Sequence, residues 1–144
     1  MTLPSGSGLL YGKHYATPEI VVSFDAGRCI HAHVCVQSLP QVFDVAARPW
    51  IQPAHAQAEQ VQAVVQRCPS GALHALMSGA QAEQPERLTT ITPQPGGPLS
   101  VCGDLRIVTP QGEIHEVRAT LCRCGASSNR PFCDGTHARI GWKG

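Results

Sequence analysis

Between Cys122 and His137 the chain reads CRCGASSNRPFCDGTH, three cysteines and one histidine within sixteen positions. Cys122 and Cys124 are one residue apart, Cys133 follows after eight further residues, and His137 stands four beyond Cys133. Thiolates and imidazole are the donors that softer first-row metal centres take, and this spacing can wrap one inorganic centre. Asp134-Gly135 supplies a turn and a helix start whose amides can face sulfur, while Pro131 stiffens the approach to Cys133. Donor count leaves the metal open, because a zinc ion with Cys3His ligands satisfies it as well as iron does.

A second group lies in the first half, RCIHAHVC from Arg28 to Cys35 and RCPSGAL from Arg67 to Leu73. The bacterial ferredoxin run C-x2-C-x2-C with a distant C-P would place ligands at Cys29, position 32, Cys35 and Cys68, but position 32 is Ala32. One corner therefore has no cysteine. Three thiolates suit a 3Fe-4S cluster, while a 4Fe-4S cluster needs water, an exogenous ligand, or His31 or His33 at the open corner. The alternative role for both histidines is as nearby hydrogen-bond donors or solvated residues. These residues resemble the divergent mono-cluster 4Fe-4S ferredoxin family, with further similarity in LPQVFD, RPWI and CPSGAL over roughly residues 11–77.

The carboxyl-terminal stretch resembles the CDGSH iron-sulfur domain, the family that includes mitoNEET. Its pattern, C-x-C-x2-[ST]-x3-P-x-C-D-G-[SAT]-H, is met by Cys122, Cys124, Ser127, Pro131, Cys133, Asp134, Gly135, Thr136 and His137. The resemblance implies a 2Fe-2S cluster, with Cys122 and Cys124 on one iron and Cys133 and His137 on the other. Mixed ligation has an electrostatic consequence of its own, since a neutral imidazole in place of a thiolate makes the centre less negative and easier to reduce. Two-histidine Rieske centres reach roughly −150 to +300 mV against about −400 mV for plant-type clusters, which puts a one-histidine centre between them. His137 also offers a route to acid lability.

The elements that must position these ligands are legible in outline. IVVSF (20–24) reads as a buried strand broken by Asp25-Ala26-Gly27 just before Cys29. Residues 55–67 carry Val61, Val64 and Val65 at helical spacing, and Pro69 stops that helix at Cys68. Trp50-Ile51 suggests a second short strand. Later, LSV, LRIVT and EVRATL alternate with Gly103-Asp104 and Pro110-Gln111-Gly112 as short strands joined by turns. The stretch 79–96, rich in Pro, Gly, Gln and Thr, reads as a linker. The expected fold class is α+β: a ferredoxin-like module over 1–78, then a β-rich CDGSH module over 97–144.

Composition excludes several classes. The chain has 144 residues with net charge +1; residues 1–80 carry four Lys/Arg and four Asp/Glu, and 81–144 carry seven and six. No basic stripe points to nucleic acid or anionic lipid. The amino terminus lacks the charge and apolar pattern of a leader, and no run approaches a membrane span, so a cytoplasmic protein is expected. Seven cysteines are odd in number, and a reducing compartment favours ligation over disulfides.

Other candidates read as structural. Cys102 sits in a strand as a small hydrophobe; His14, His55, His74 and His115 are scattered; Ser127 is a turn or cluster-loop donor. Arg123 and Arg130 flank the carboxyl-terminal ligands, where they either favour a reduced centre and an acidic partner or are simply solvated. The expected function is single-electron transfer by a two-cluster protein that is not an enzyme, its partner a redox protein. The competing expectation is cluster transfer to an apo-acceptor or redox and pH sensing, and a third is a metal-stapled binding module. Resemblance to mitoNEET-type proteins suggests a homodimer.

Overall fold

The computed structural model describes residues 12–30, 32–79, 83–85 and 87–143. It is a mixed, strand-rich architecture of two three-stranded antiparallel sheets, ordered β1-β2-β3 and β4-β5-β6, with a few short helices.

The first sheet comprises β1 (Lys13–Ala16), β2 (Ile20–Phe24) and β3 (Leu73–Met77). Strand β2 is central and pairs Val22 with Tyr15 on one side and Ala75 on the other. Helix α1 (Val34–Ser38) and helix α2 (Ala58–Val65) complete this half. In α2, Val61, Val64 and Val65 form a buried stripe over Ile20, Val22, Phe43 and Leu73, as helical spacing requires. The helix occupies less than the expected 55–67. Pro53–His55 forms a separate 3-10 turn, and Gln57 begins α2 with a reciprocal cap in which its amide donates to Gln60 Oε1 at 3.1 Å. Trp50-Ile51 is not a strand: Ile51 makes only an isolated bridge to Phe43, and Trp50 packs edge-on against Phe24 at 4.9 Å.

The second sheet comprises β4 (Thr90–Pro93), β5 (Leu99–Thr109) and β6 (Gly112–Leu121). Strand β4 lies inside the segment that composition marks as a connection, because the β-branched run Thr90-Ile91-Thr92 finds an edge on β5 where Pro93 is tolerated. LSV and LRIVT are one strand rather than two, with a bulge between Cys102 and Leu105. Gly103 sits there at φ +152, and a Cβ on it would lie 2.6 Å from Thr89 Oγ1. Val101, Leu105, Ala119 and Phe132 form the small core of this half. A core with so few large apolar residues is small for a module of this size.

The two halves are docked through polar groups. Glu116 and Arg118 on β6 are 0% and 6% exposed, although they alternate with apolar residues as a solvent-facing row would. Arg28 Nη1 donates to Glu116 Oε2 at 2.5 Å, and His74 Nε2 stands 2.8 Å from Glu116 Oε1. Arg118 donates to the carbonyls of Cys68 and Leu73 and to Glu83 Oε1, the last at 2.7 Å. Gly71 is required at this seam: it has φ +72, and a Cβ would fall 2.3 Å from Arg118 O and 2.5 Å from Arg28 Nη2.

Candidate metal centres

The carboxyl-terminal candidate ligands are carried on two loops held against the end of β6. Cys122 N donates to Pro131 O and Cys133 N to Thr120 O, both at 2.8 Å, so the second loop continues the strand ladder and fixes both ligand segments together. Ser127, buried, closes the loop by donating to Phe132 O at 2.6 Å and accepting from Asn129 N at 3.0 Å. Asp134 accepts from Ser128 N, Thr136 N and Thr136 Oγ1, and the Thr136 hydroxyl chief among these holds its carboxyl down at about 2. The short helix α3 (Thr136–Arg139) then presents His137.

The donors form two pairs. Cys122 Sγ and Cys124 Sγ are 3.9 Å apart, and Cys133 Sγ and His137 Nδ1 are 3.3 Å apart. Two thiolates on one tetrahedral metal with bonds of about 2.3 Å stand roughly 3.8 Å apart, and a thiolate–imidazole pair slightly less. Each pair is spaced as two donors on one metal would be. Among the described residues no three His, Cys, Asp or Glu side chains converge on one ion position.

Amides are aimed at the sulfurs as the turn sequence suggests. Gly125 N donates to Cys122 Sγ at 3.3 Å, Ala126 N to Cys124 Sγ at 3.4 Å and Gly135 N to Cys133 Sγ at 3.4 Å. Burial raises the Cys122 thiol, but the amides of Ser127 and Gly125 and the neighbouring Cys124 outweigh it and bring the thiol below its ordinary range. Cys133 goes the other way: burial lifts it, the Gly135 amide opposes, and Asp134, Cys122 and Cys124 lift it further. Metal charge is what would deprotonate it. Arg123 donates to Gly97 O at 2.9 Å and Gln94 O at 2.7 Å and lies 4.9 Å over the Trp142 ring. It clamps the turn that covers His137, since a Cβ on Gly97 would lie 3.6 Å from His137 Nε2.

In the first half, Cys29, Cys35 and Cys68 line one cavity of about 80 Å³ with Phe24, Trp50 and Leu73. Cys29 follows the 3-10 turn Ala26–Arg28, Cys35 lies in the first turn of α1, and Cys68 ends the turn after α2. Burial is the largest cause of a raised Cys35 thiol, and the nearness of Cys68 and Cys29 adds to it. Three thiols around an apolar hollow would repel one another once deprotonated, and a cationic iron-sulfide group would offset that repulsion. Ala32 and His33 also line the cavity, Ala32 without a donor at the corner where the ferredoxin run places cysteine. His33 is exposed, in the left-handed conformation at φ 65. His31 lies outside the described residues.

Of the remaining sequence candidates, Arg130 bonds within the carboxyl-terminal loop, and Cys102, His14, His55 and His115 sit on other elements. Cys102 is half-buried in β5, His55 Nδ1 pairs with Gln41 O at 3.0 Å, and His14 and His115 are exposed. Arg130 is exposed and donates to Ser127 O at 3.4 Å. Sequence reading passes over Arg28, Ser70, Glu116 and Arg118, and treats His74 as a bystander. The one available signal was the Glu116-x-Arg118-x-Thr120 alternation on a strand.

Two family models match the chain. The model "Divergent 4Fe-4S mono-cluster" matches residues 15–78, and "Iron-binding zinc finger CDGSH type" matches residues 96–138. The uncharacterized protein YjdI of Escherichia coli strain K12 is 36% identical over 59 residues, covering 41% of this chain and 78% of the relative. YjdI of Escherichia coli O157:H7 matches to the same extent, 36% over 59 residues. The chain belongs to the divergent 4Fe-4S mono-cluster family through its first half and carries a CDGSH-type iron-binding module in its second.

Proposed function

We propose that this protein carries two unlike clusters and transfers single electrons, without a substrate reaction of its own. The observation that carries the reading is the division of the carboxyl-terminal donors into two pairs, at 3.9 and 3.3 Å, beside a separate three-thiol cavity. Cys122, Cys124, Cys133 and His137 would hold a 2Fe-2S cluster, the group that resemblance to CDGSH domains implies. Cys29, Cys35 and Cys68 would hold a 3Fe-4S cluster, or a 4Fe-4S cluster with a further ligand. When bound, these groups supply reversible one-electron chemistry. The chain's residues set its conditions: amides donate to each sulfur of the CDGSH-type site, and a buried charged layer joins the halves.

Arg123, Arg130, Arg139 and Lys143 are exposed around the carboxyl-terminal loops, which supports docking to an acidic redox protein. Among the described residues no helix is long and apolar enough to cross a membrane, and the free thiols suit a reducing compartment such as the cytoplasm. A homodimer remains part of the proposal by resemblance alone.

The half-exposure of Cys122, Cys124 and His137 favours a second reading, cluster donation to an apo-acceptor. Anaerobic purification with iron and sulfide analysis, a redox titration, and incubation with an apo-ferredoxin separate the two. Reversible reduction with the visible bands retained supports the carrier. Loss of the bands to the acceptor on a faster timescale than spontaneous decay overturns it in favour of the donor.

A further inference from the structure

One buried side chain touches both ligand regions. Arg28, 2% exposed, immediately precedes Cys29. Its Nη2 donates to Ser70 O at 2.8 Å, and Ser70 Oγ lies 3.5 Å from Cys68 Sγ. The same nitrogen donates to Arg118 O at 3.2 Å on the strand that leads to Cys122. The guanidinium carbon is also 4.6 Å from the centre of the Phe132 ring, and Phe132 immediately precedes Cys133. Next to this arginine, Asn129 Nδ2 donates to Gly27 O at 3.1 Å and locks the two loops in register.

The charge on Arg28 is paired with Glu116 Oε2 at 2.5 Å, and both groups are buried. Glu116 also meets His74, whose Nε2 stands 2.8 Å from Oε1, and among the described residues Arg28 Nε has no hydrogen-bond partner. Buried charges act at an effective dielectric of about 20 rather than 80, and salt screens them less than surface charges. A cation so placed stabilises added negative charge on either side of it.

We propose that Arg28 is a shared positioning residue that raises the reduction potentials of both cluster sites together, so that the two centres are tuned as a pair rather than separately. The inference rests on the two-cluster reading above. Its consequence is that the docking of the halves is part of the redox apparatus, because separating them would leave each centre without half of the arginine's environment.

The test is a spectroelectrochemical titration of the full-length, anaerobically reconstituted protein, with each midpoint assigned by paramagnetic resonance and iron and sulfide counted first. Arg28→Gln is expected to lower both midpoints, Arg28→Lys to return both toward wild type, and Glu116→Gln, which removes the opposing charge, to raise both. If Arg28→Gln misfolds, Arg28→Lys and Glu116→Gln still carry the test. A shift confined to the amino-terminal centre, no shift at either, or an equal drop in Arg28→Lys would overturn the proposal while leaving two clusters in place. An iron count accounting for a single cluster would instead overturn the two-cluster reading, and this inference with it.

Discussion

Replacing Glu116 by alanine isolates the energetic role of the seam between the halves. Glu116 is fully buried, and its carboxylate faces Arg28 Nη1 at 2.5 Å and His74 Nε2 at 2.8 Å. Burial raises its pKa, but the hydrogen bond and charge of His74 and the charge of Arg28 outweigh this and leave it lowered. A depressed carboxylate stabilises the fold above its unfolded pKa, and the contribution is lost as pH falls through the folded value, so at neutral pH it is fully present. Removing one partner of such a pair costs about 3–5 kcal/mol, mostly because the other charge is left buried and unpaired. With an m-value of about 2 kcal/mol/M, the urea midpoint should fall by roughly 1.5–2.5 M. Tryptophan fluorescence of the full-length protein follows this, since Trp50 packs in the first core. The exposed pair Arg106–Glu113, with side chains 66% and 45% exposed, is the control, and Glu113→Gln should cost less than about 1 kcal/mol. Combining Arg28→Met with Glu116→Leu should recover more than half of the loss, because no orphan charge remains. A Glu116→Ala midpoint within about 0.5 M of wild type, or a double variant no better than the single, would refute the claim that the halves are joined by a desolvated ion pair.

Ala32→Cys should supply the absent thiolate at the first cavity and convert a three-iron paramagnetic signal of the oxidised protein into a 4Fe-4S signature; the same four-iron signature in both proteins would mean that a fourth ligand already exists. His137→Cys should retain the carboxyl-terminal visible band but lower its midpoint, since a thiolate replaces a neutral donor; an unchanged midpoint would remove His137 from the ligand set. Asp134→Ala removes three acceptor contacts from the ligand loop and should speed loss of that band at neutral pH. Because the Asp134 carboxyl titrates at about 2, its own protonation should add to acid bleaching only below about pH 4, and in wild type the decay rate read between pH 4 and 7 should not follow it.

The candidate ligand residues were readable from residue types and intervals because soft-donor chemistry needs particular atoms at short range, and short loops bring such atoms together. Cys122, Cys124, Cys133 and His137 lie within sixteen positions. The same holds for β2 and for the valine stripe of α2, whose periodicities are local consequences of pleat and helical turn. Local signals were weaker at Trp50-Ile51, at β4 and in the continuous β5, because pairing partners distant in the chain decide whether a short β-branched run becomes a strand.

What only the tertiary structure decided is the seam. On β6 the row Glu116, Arg118, Thr120 has the alternation of a strand with one face in water, and period alone carries no information about what covers that face. Docking places Arg28 and His74 over it, 88 and 42 residues away from Glu116 in the chain. Burial of charge is favourable only when an opposite charge and hydrogen-bond partners arrive together, and whether they arrive is a property of how the two halves meet, which neither half's sequence pattern contains by itself.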